Sequence, residues 1–142
     1  MGRLIETGST PAKRRRAFQR SCAEVLRLLA ERPVFDTEGK DQLAFLAFNL
    51  RSIYTTIDES AAAWDERNYW KKAEALREKW RWARSSADEL ERLIIGEAWH
   101  EIPPFLIGLV PHFSSVRVTT LTRDSDWWVG AHRALVKGAT EV

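Results

Sequence analysis

The chain has 142 residues, of which 44% are hydrophobic and 30% charged, and its formal net charge is +2. This balance excludes a disordered chain, and the length predicts a single domain over residues 1–142. No uncharged run reaches the roughly 18 residues of a membrane-spanning helix, and the N-terminus lacks an apolar signal core. We therefore expect a cytoplasmic protein without membrane partners. The single cysteine, Cys22, excludes an internal disulfide and is consistent with a reducing compartment.

The first predicted helix follows a polar stretch, residues 1–8, that we expect to be a flexible tail. Ser9 and Thr10 precede Pro11, and hydroxyl residues before a proline are typical of a helix start. The helix should extend to about Arg32, because a proline follows there. Its apolar side chains recur at helical spacing, at Phe18, Cys22, Val25, Leu26 and Leu29.

The central stretch, residues 36–97, contains no proline and only two glycines, which predicts long helix. Two rows of apolar residues run along it at steps of three and four. If the spacing of the first row is continued along the chain, the apolar residues of the second row lie two positions later than expected. This displacement predicts a tight turn at Asp65 to Asn68, with Asp58 to Ser60 as the other candidate. The rows are Leu43, Leu46, Leu50, Ile53, Ile57 and Trp64, then Tyr69, Ala73, Leu76, Trp80, Ala83, Ala87, Leu90 and Ile94.

A turn at that place produces an antiparallel hairpin whose arms are on the order of 40 Å long, at 1.5 Å per residue. Phe45 and Phe48 point away from the row that contains Leu50, so the second predicted helix is apolar on two faces. We expect the C-terminal segment to cover the second face.

The C-terminal segment is interrupted by prolines. We expect Pro103 and Pro104 to end a helix, residues 105–110 to form a short buried turn, and residues 98–123 as a whole to be an irregular cover. Val116 to Thr120 alternates like a strand but has no partner strand, which favours extended coil. A last helix should begin after the cap residues 124–126 and end near residue 137. The predicted fold is therefore an all-α antiparallel bundle built on the long hairpin.

Charge alternates in blocks along the chain. Residues 1–32 and 67–84 are basic, whereas residues 33–66 and 85–101 are acidic. Opposite blocks attract neighbouring helices or an identical partner, although each surface pair contributes less than about 1 kcal/mol. The pattern therefore predicts orientation more than stability.

Aromatic and basic side chains interleave between Trp64 and Arg84, a combination that stacks bases and neutralises phosphates in nucleic-acid binders. Aromatic residues and arginines also dominate protein-binding hot spots. We predict a non-catalytic helical interaction module that self-associates or docks on a protein partner. Trp82 points away from the apolar row, so it either contacts a partner or packs beneath the C-terminal segment. The predicted partner-binding residues are Trp70, Arg77, Arg81, Trp82, Arg84, Trp127 and Trp128.

A basic cluster at the start of the first helix suggests an alternative function. Positive charge opposes the helix dipole there, so the cluster needs a counter-anion, either a phosphate or the acidic second helix. The alternative is a nucleic-acid-binding or ribonucleoprotein accessory subunit, although a net charge of +2 predicts modest affinity. The cluster comprises Lys13, Arg14, Arg15, Arg16 and Arg20.

A second alternative is a metal-dependent enzyme with a His/Glu site in the bundle. Glu97 and His100 have the spacing that places a carboxylate and an imidazole on one helix face. His112 and His132 could join them if the C-terminal segment folded back. A di-metal bundle needs two such pairs, and the sequence has no phosphate loop or nucleophile motif, so we expect no cofactor and no enzyme activity.

Overall fold

The computed structural model describes residues 9–140, so the expected tail at residues 1–8 lies outside it. The described residues form an all-α bundle without strands, as predicted, and none of their helices is long and apolar enough to cross a membrane. The five α-helices are α1 (Pro11–Ala30), α2 (Thr37–Glu66), α3 (Trp70–Ile95), α4 (Ile102–Leu109) and α5 (Ala131–Thr140). Short 3₁₀ turns lie at Trp99–Glu101, Val110–Phe113 and Ser125–Trp127.

The first helix begins as its sequence predicts and ends two residues earlier than expected. The Thr10 side chain accepts a hydrogen bond from the Lys13 N–H at 3.2 Å, and Pro11 occupies the first helical position. Proline is favoured there because that backbone N–H has no partner inside the helix. Cys22 and Val25 are fully buried in the core and fix the inner face of α1.

The α2–α3 hairpin turns at the predicted place. Asn68 has φ 64°, in the left-handed region. The Tyr69 N–H donates to the Trp64 carbonyl at 2.9 Å, and the Asn68 N–H donates to the Asp65 carbonyl at 3.0 Å. These two bonds close the end of α2 in a pattern that favours glycine or asparagine at the left-handed residue. The phase shift between the apolar rows therefore results from one local turn.

The core lies between α1, α2 and α3, with α2 at its centre. Five residues of the first predicted row have no exposed surface, namely Leu43, Leu46, Leu50, Ile53 and Ile57. The second apolar face of α2 is covered as expected. The ring of Phe45 lies 5.9 Å from that of Trp128, and Leu135 of α5 is buried in the same core.

Oppositely charged blocks lie side by side in the bundle. Arg77, in the basic block of α3, pairs with Asp65 in the acidic block of α2 at 3.1 Å. A cation within that acidic block, Arg51, also contacts Asp88 and Glu91 on α3, at 2.9 and 2.7 Å. On the other side of α2, Arg14 of α1 binds Glu59 at 2.8 Å. Because most of these side chains are at least one-third exposed, the pairs orient the helices more than they stabilise them.

The C-terminal segment corrects three expectations. Residues 105–110 do not form a short buried turn, because most of them belong to α4 and Ile107 and Val110 are exposed. Pro103 and Pro104 do not end a helix, because α3 already ends at Ile95 and the prolines occupy the first turn of α4. A missing backbone N–H is tolerated at that position. The last helix is divided, since Gly130 has φ 81° and separates the final 3₁₀ turn from α5. Residues 116–120 are coil and not a strand, as expected, but the backbone bends at Val116, Thr119 and Thr120.

Candidate docking surface

Trp82 is covered by its own chain. Its ring stacks on His112, with the centroids 4.0 Å apart and the planes 9° from parallel, and the edge of Phe113 lies 5.6 Å away. Both residues belong to the 3₁₀ turn that follows α4. Of the two alternatives open to Trp82, the structure shows packing beneath the C-terminal segment, so its ring is not free for a partner.

The three arginines of the predicted partner-binding set mostly contact the bundle itself. Arg77 bridges to Asp58 and Asp65 of α2, at 3.6 and 3.1 Å. Arg84 lies 5.9 Å above the Tyr54 ring, within cation–π range. Arg81 pairs with Glu78 one turn earlier on α3, at 2.7 Å, and both side chains are exposed. These contacts hold α3 against α2 or remain on the surface of α3.

The three other predicted tryptophans differ in exposure. Trp128 is 4% exposed and belongs to the core, and Trp127 is half-buried, with the Arg123 guanidinium 4.6 Å above its ring. Trp70 is 59% exposed and its neighbour Tyr69 is 51% exposed. Both lie at the end of the hairpin, residues 64–72, which we call the hairpin tip. Of the predicted aromatic residues, Trp70 therefore remains available to a partner.

Three members of the basic cluster have partners within the bundle. The Arg14 guanidinium makes two hydrogen bonds to Glu59, at 2.8 and 3.1 Å. Arg15 donates to Thr56 at 3.0 Å, and Arg20 donates to Glu24 at 2.6 Å. Burial and the nearby Arg16 lower the pKa of Arg15.

Lys13 and Arg16 remain exposed on α1. The counter-anions of the cluster are therefore mainly carboxylates of the chain. Nucleic-acid binding through this cluster stays a prediction that rests on two exposed cations.

The four metal candidates do not converge. α3 ends at Ile95, so Glu97 and His100 do not share a helix face, which corrects the expectation from their spacing. Glu97 has φ 54° and His100 lies in a 3₁₀ turn. The His112 ring stacks on Trp82, and the His132 backbone N–H donates a hydrogen bond to the Asp41 carboxylate. Residues 9–140 contain no group of three or more His, Cys, Asp or Glu side chains that could hold a metal ion.

A buried carboxylate that the sequence did not reveal fastens the C-terminal coil to α1. We call residues 114–124 the strap. Glu24 has no exposed surface and accepts hydrogen bonds from Arg20 Nε (2.6 Å), Thr122 N–H (2.6 Å), Thr122 Oγ1 (2.7 Å) and Arg123 N–H (2.9 Å). Burial alone raises the pKa of Glu24, but these hydrogen bonds outweigh it and lower the pKa to about 2. From the sequence alone Glu24 would be an ordinary solvated residue, whereas in the structure the strap covers it.

A second feature missed from the sequence is an uncharged face of α4. The fifteen residues from Ile102 to Val116 include no Asp, Glu, Lys or Arg, in a chain that is 30% charged. Ile107 is 74% exposed and Val110 is 54% exposed. A Cβ added at Gly108 would meet no atom within 4 Å, so this side of the helix is open. We call this face the α4 surface, and it consists of Pro103, Pro104, Ile107, Gly108, Val110 and Pro111, all exposed.

Two apolar grooves lie between the α4 surface and α1. The first has a volume of about 230 Å³, and Leu26, Ala30 and Val110 line both grooves. The first groove is completed by Leu29, Arg32, Phe35, Pro103, Leu106 and Ile107. The second is completed by Ala23, Arg27, Phe113, Ser114, Val116 and Val118. Each groove therefore contains one charged side chain, an arginine, among apolar neighbours.

Comparison with protein-family models, with curated proteins and with solved structures gave no match. The functional argument therefore depends on the surface chemistry of the chain itself.

Proposed function

We propose that the chain is a non-catalytic helical module of the cytoplasm that binds protein through the α4 surface. The observation that carries the proposal is the 74% exposure of Ile107 on a helix face without charged side chains. Contiguous apolar faces are uncommon on soluble monomers, and they often mark a protein-binding site. The grooves beside α1 support the proposal, because they give an apolar partner a concave surface to enter.

The rest of the fold provides rigid support for such a surface. Leu106 and Leu109 on the inner side of α4 are buried, so the outer side chains are held in a fixed orientation. A partner therefore meets a preformed surface and loses little free energy in ordering it. Trp70 at the hairpin tip is the competing location, since it is the exposed aromatic residue of the predicted set.

Comparative capture with three baits tests the proposal. The baits are the wild-type chain, Ile107→Glu and Trp70→Glu, each checked for native circular dichroism. Both replaced side chains are more than half exposed, so each variant should change the free energy of unfolding by about 0.5 kcal/mol or less. Proteins retained from a cell extract are quantified for each bait.

We expect at least one specific protein, which can be the chain itself, to be retained by wild type and Trp70→Glu but lost with Ile107→Glu. Loss with Trp70→Glu alone would move the docking site to the hairpin tip. Equal retention by all three baits would refute binding through either surface.

A further inference from the structure

We infer that the occupant of the α4 surface is a second copy of the chain, related by a two-fold axis that crosses the face of α4. This inference rests on the proposed function, because it requires the α4 surface to bind protein. Two-fold pairing brings the same patch of each copy together, so the patch must be complementary to itself in shape and in charge. Both conditions can be examined on the described residues.

The shape of the patch offers a projection beside a recess. Ile107 projects from α4 and Val110 from the 3₁₀ turn that follows it, while Leu26 and Ala30 of α1 form the opposite wall of the grooves beside them. A two-fold operation about an axis on α4 runs the two helices antiparallel. Such an axis keeps the grooves of both copies on the same side of the helix pair, so each projecting side chain meets the helix of the other copy. Ile107 of one copy lies opposite Val110 of the other when the axis passes between them, and the open Gly108 allows close approach.

The charges at the two ends of the patch are of opposite sign. At the Pro103 end, Arg32 is paired with both Asp36 and Glu38, and Glu101 immediately precedes α4. Lys40 beside the Trp99 ring and the Arg92–Glu89 pair near Glu101 lie at the same end, so its four carboxylates exceed its three cations by one.

At the other end, Arg27 lines the groove beside Val110 and Phe113, and no acidic side chain lines that groove. Its guanidinium makes one long hydrogen bond, at 3.5 Å, to the Val118 carbonyl. Antiparallel pairing places this basic end beside the acidic end of the second copy. The charges of the patch therefore favour the two-fold arrangement.

The centre of the patch also permits self-pairing. Side chains near a two-fold axis meet their own counterparts, so any charge there would repel itself. The α4 surface has no charged side chain. The hairpin tip differs, because Lys71 and Lys72 lie beside its aromatic rings and would approach their own copies. Self-association is thus better suited to the α4 surface than to the tip.

The dimensions of the patch indicate a weak dimer. α4 and the following 3₁₀ turn span about 20 Å, from rises of about 1.5 and 2.0 Å per residue. Stable interfaces bury about 800 Å² per partner, and a patch of this length is at the small end of that range. Association should therefore be visible only when the chain concentration is varied widely.

Sedimentation equilibrium and light scattering over about 1 µM to about 1 mM, a range suited to a small interface, test the inference. We expect the mean mass to rise from 16.4 kDa toward that of two chains. Ile107→Glu should raise the dimer dissociation constant at least about 100-fold, because it places two carboxylates near the axis. Trp70→Glu is the control and should leave the constant unchanged.

A charge-exchange series tests the orientation. Arg27→Glu and Glu101→Arg should each weaken the dimer about three- to tenfold, and combining them should recover most of the loss. A monomer throughout the range, a dimer that resists Ile107→Glu, or dissociation by Trp70→Glu would overturn self-pairing. If the chain is monomeric but a different protein is still captured in an Ile107-dependent way, self-pairing fails and the proposed function stands. If neither is observed, both fail.

Discussion

Replacement of Glu24 by glutamine removes one buried charge while keeping the shape of the side chain. Glutamine can still accept the backbone N–H bonds of Thr122 and Arg123 through its carbonyl oxygen. Its amide nitrogen cannot accept from Arg20 Nε, which donates to the carboxylate at 2.6 Å. The substitution therefore removes a charge-assisted hydrogen bond and leaves the Arg20 guanidinium without its carboxylate.

The expected magnitude follows from the lowered pKa. A carboxyl whose pKa falls from 4.5 to about 2 on folding contributes about 3 kcal/mol at neutral pH, since one pKa unit corresponds to about 1.4 kcal/mol. This contribution is complete above pH 4.5 and is lost as the pH falls from about 4.5 through about 2. We expect Glu24→Gln to lower the free energy of unfolding at pH 7 by about 2–3 kcal/mol, because some hydrogen bonds survive.

Urea denaturation at pH 7 and pH 2 measures this contribution. The difference between wild type and Glu24→Gln should shrink below about 1 kcal/mol at pH 2, where the native carboxyl is half protonated. Glu31→Gln is the matched control, because Glu31 is exposed immediately after the same helix, and it should change stability by less than about 0.5 kcal/mol. A difference below about 0.5 kcal/mol at pH 7, or one of equal size at both pH values, would refute the role given to Glu24.

Three further predictions concern local features of the fold. Asn68→Val should lower the free energy of unfolding by about 1–2 kcal/mol, because Asn68 has φ 64° and a β-branched residue is strained there. Asn68→Gly should not lower it. Equal urea midpoints for the two variants would contradict this prediction. Glu97→Gly should raise the free energy of unfolding by up to about 1 kcal/mol, because Glu97 has φ 54°, a conformation that favours glycine. This residue lies in the turn that ends α3, where the Ala98 N–H donates to the Leu93 carbonyl. A lower urea midpoint for the variant would contradict backbone strain at Glu97. Cys22 should react with a thiol reagent only on unfolding, because burial raises the pKa of its thiol; fast labelling of native protein would contradict its position in the core.

The bundle was predictable where periodicity and local turn chemistry determine structure. The two-residue displacement between the apolar rows located the turn, and Asn68 adopts the backbone conformation that the turn requires. The same reasoning failed at Pro103, because a proline can stop one helix or start the next, and the sequence alone does not distinguish these positions. The division of the last helix depends on the positive φ of Gly130, for which no periodic pattern exists.

The candidate sites were less predictable because they depend on contacts between distant parts of the chain. Glu24 meets Thr122 and Arg123 across about a hundred residues of sequence, so its burial has no local pattern. Trp82 is likewise covered by His112, which is thirty residues away. The α4 surface had a visible indication, the uncharged run from Ile102 to Val116, but the same run would also fit a buried segment. Only the position of α4 at the edge of the bundle shows which side chains remain exposed.

The most direct test of self-pairing through the α4 surface is amide hydrogen exchange as a function of chain concentration. Deuterium uptake would be compared at about 1 µM and about 500 µM for residues 102–113 and for residues 64–72. The account predicts slower uptake in residues 102–113 at the higher concentration, no change at the hairpin tip, and loss of the effect in Ile107→Glu. Protection that develops at residues 64–72 while residues 102–113 stay unchanged would contradict it.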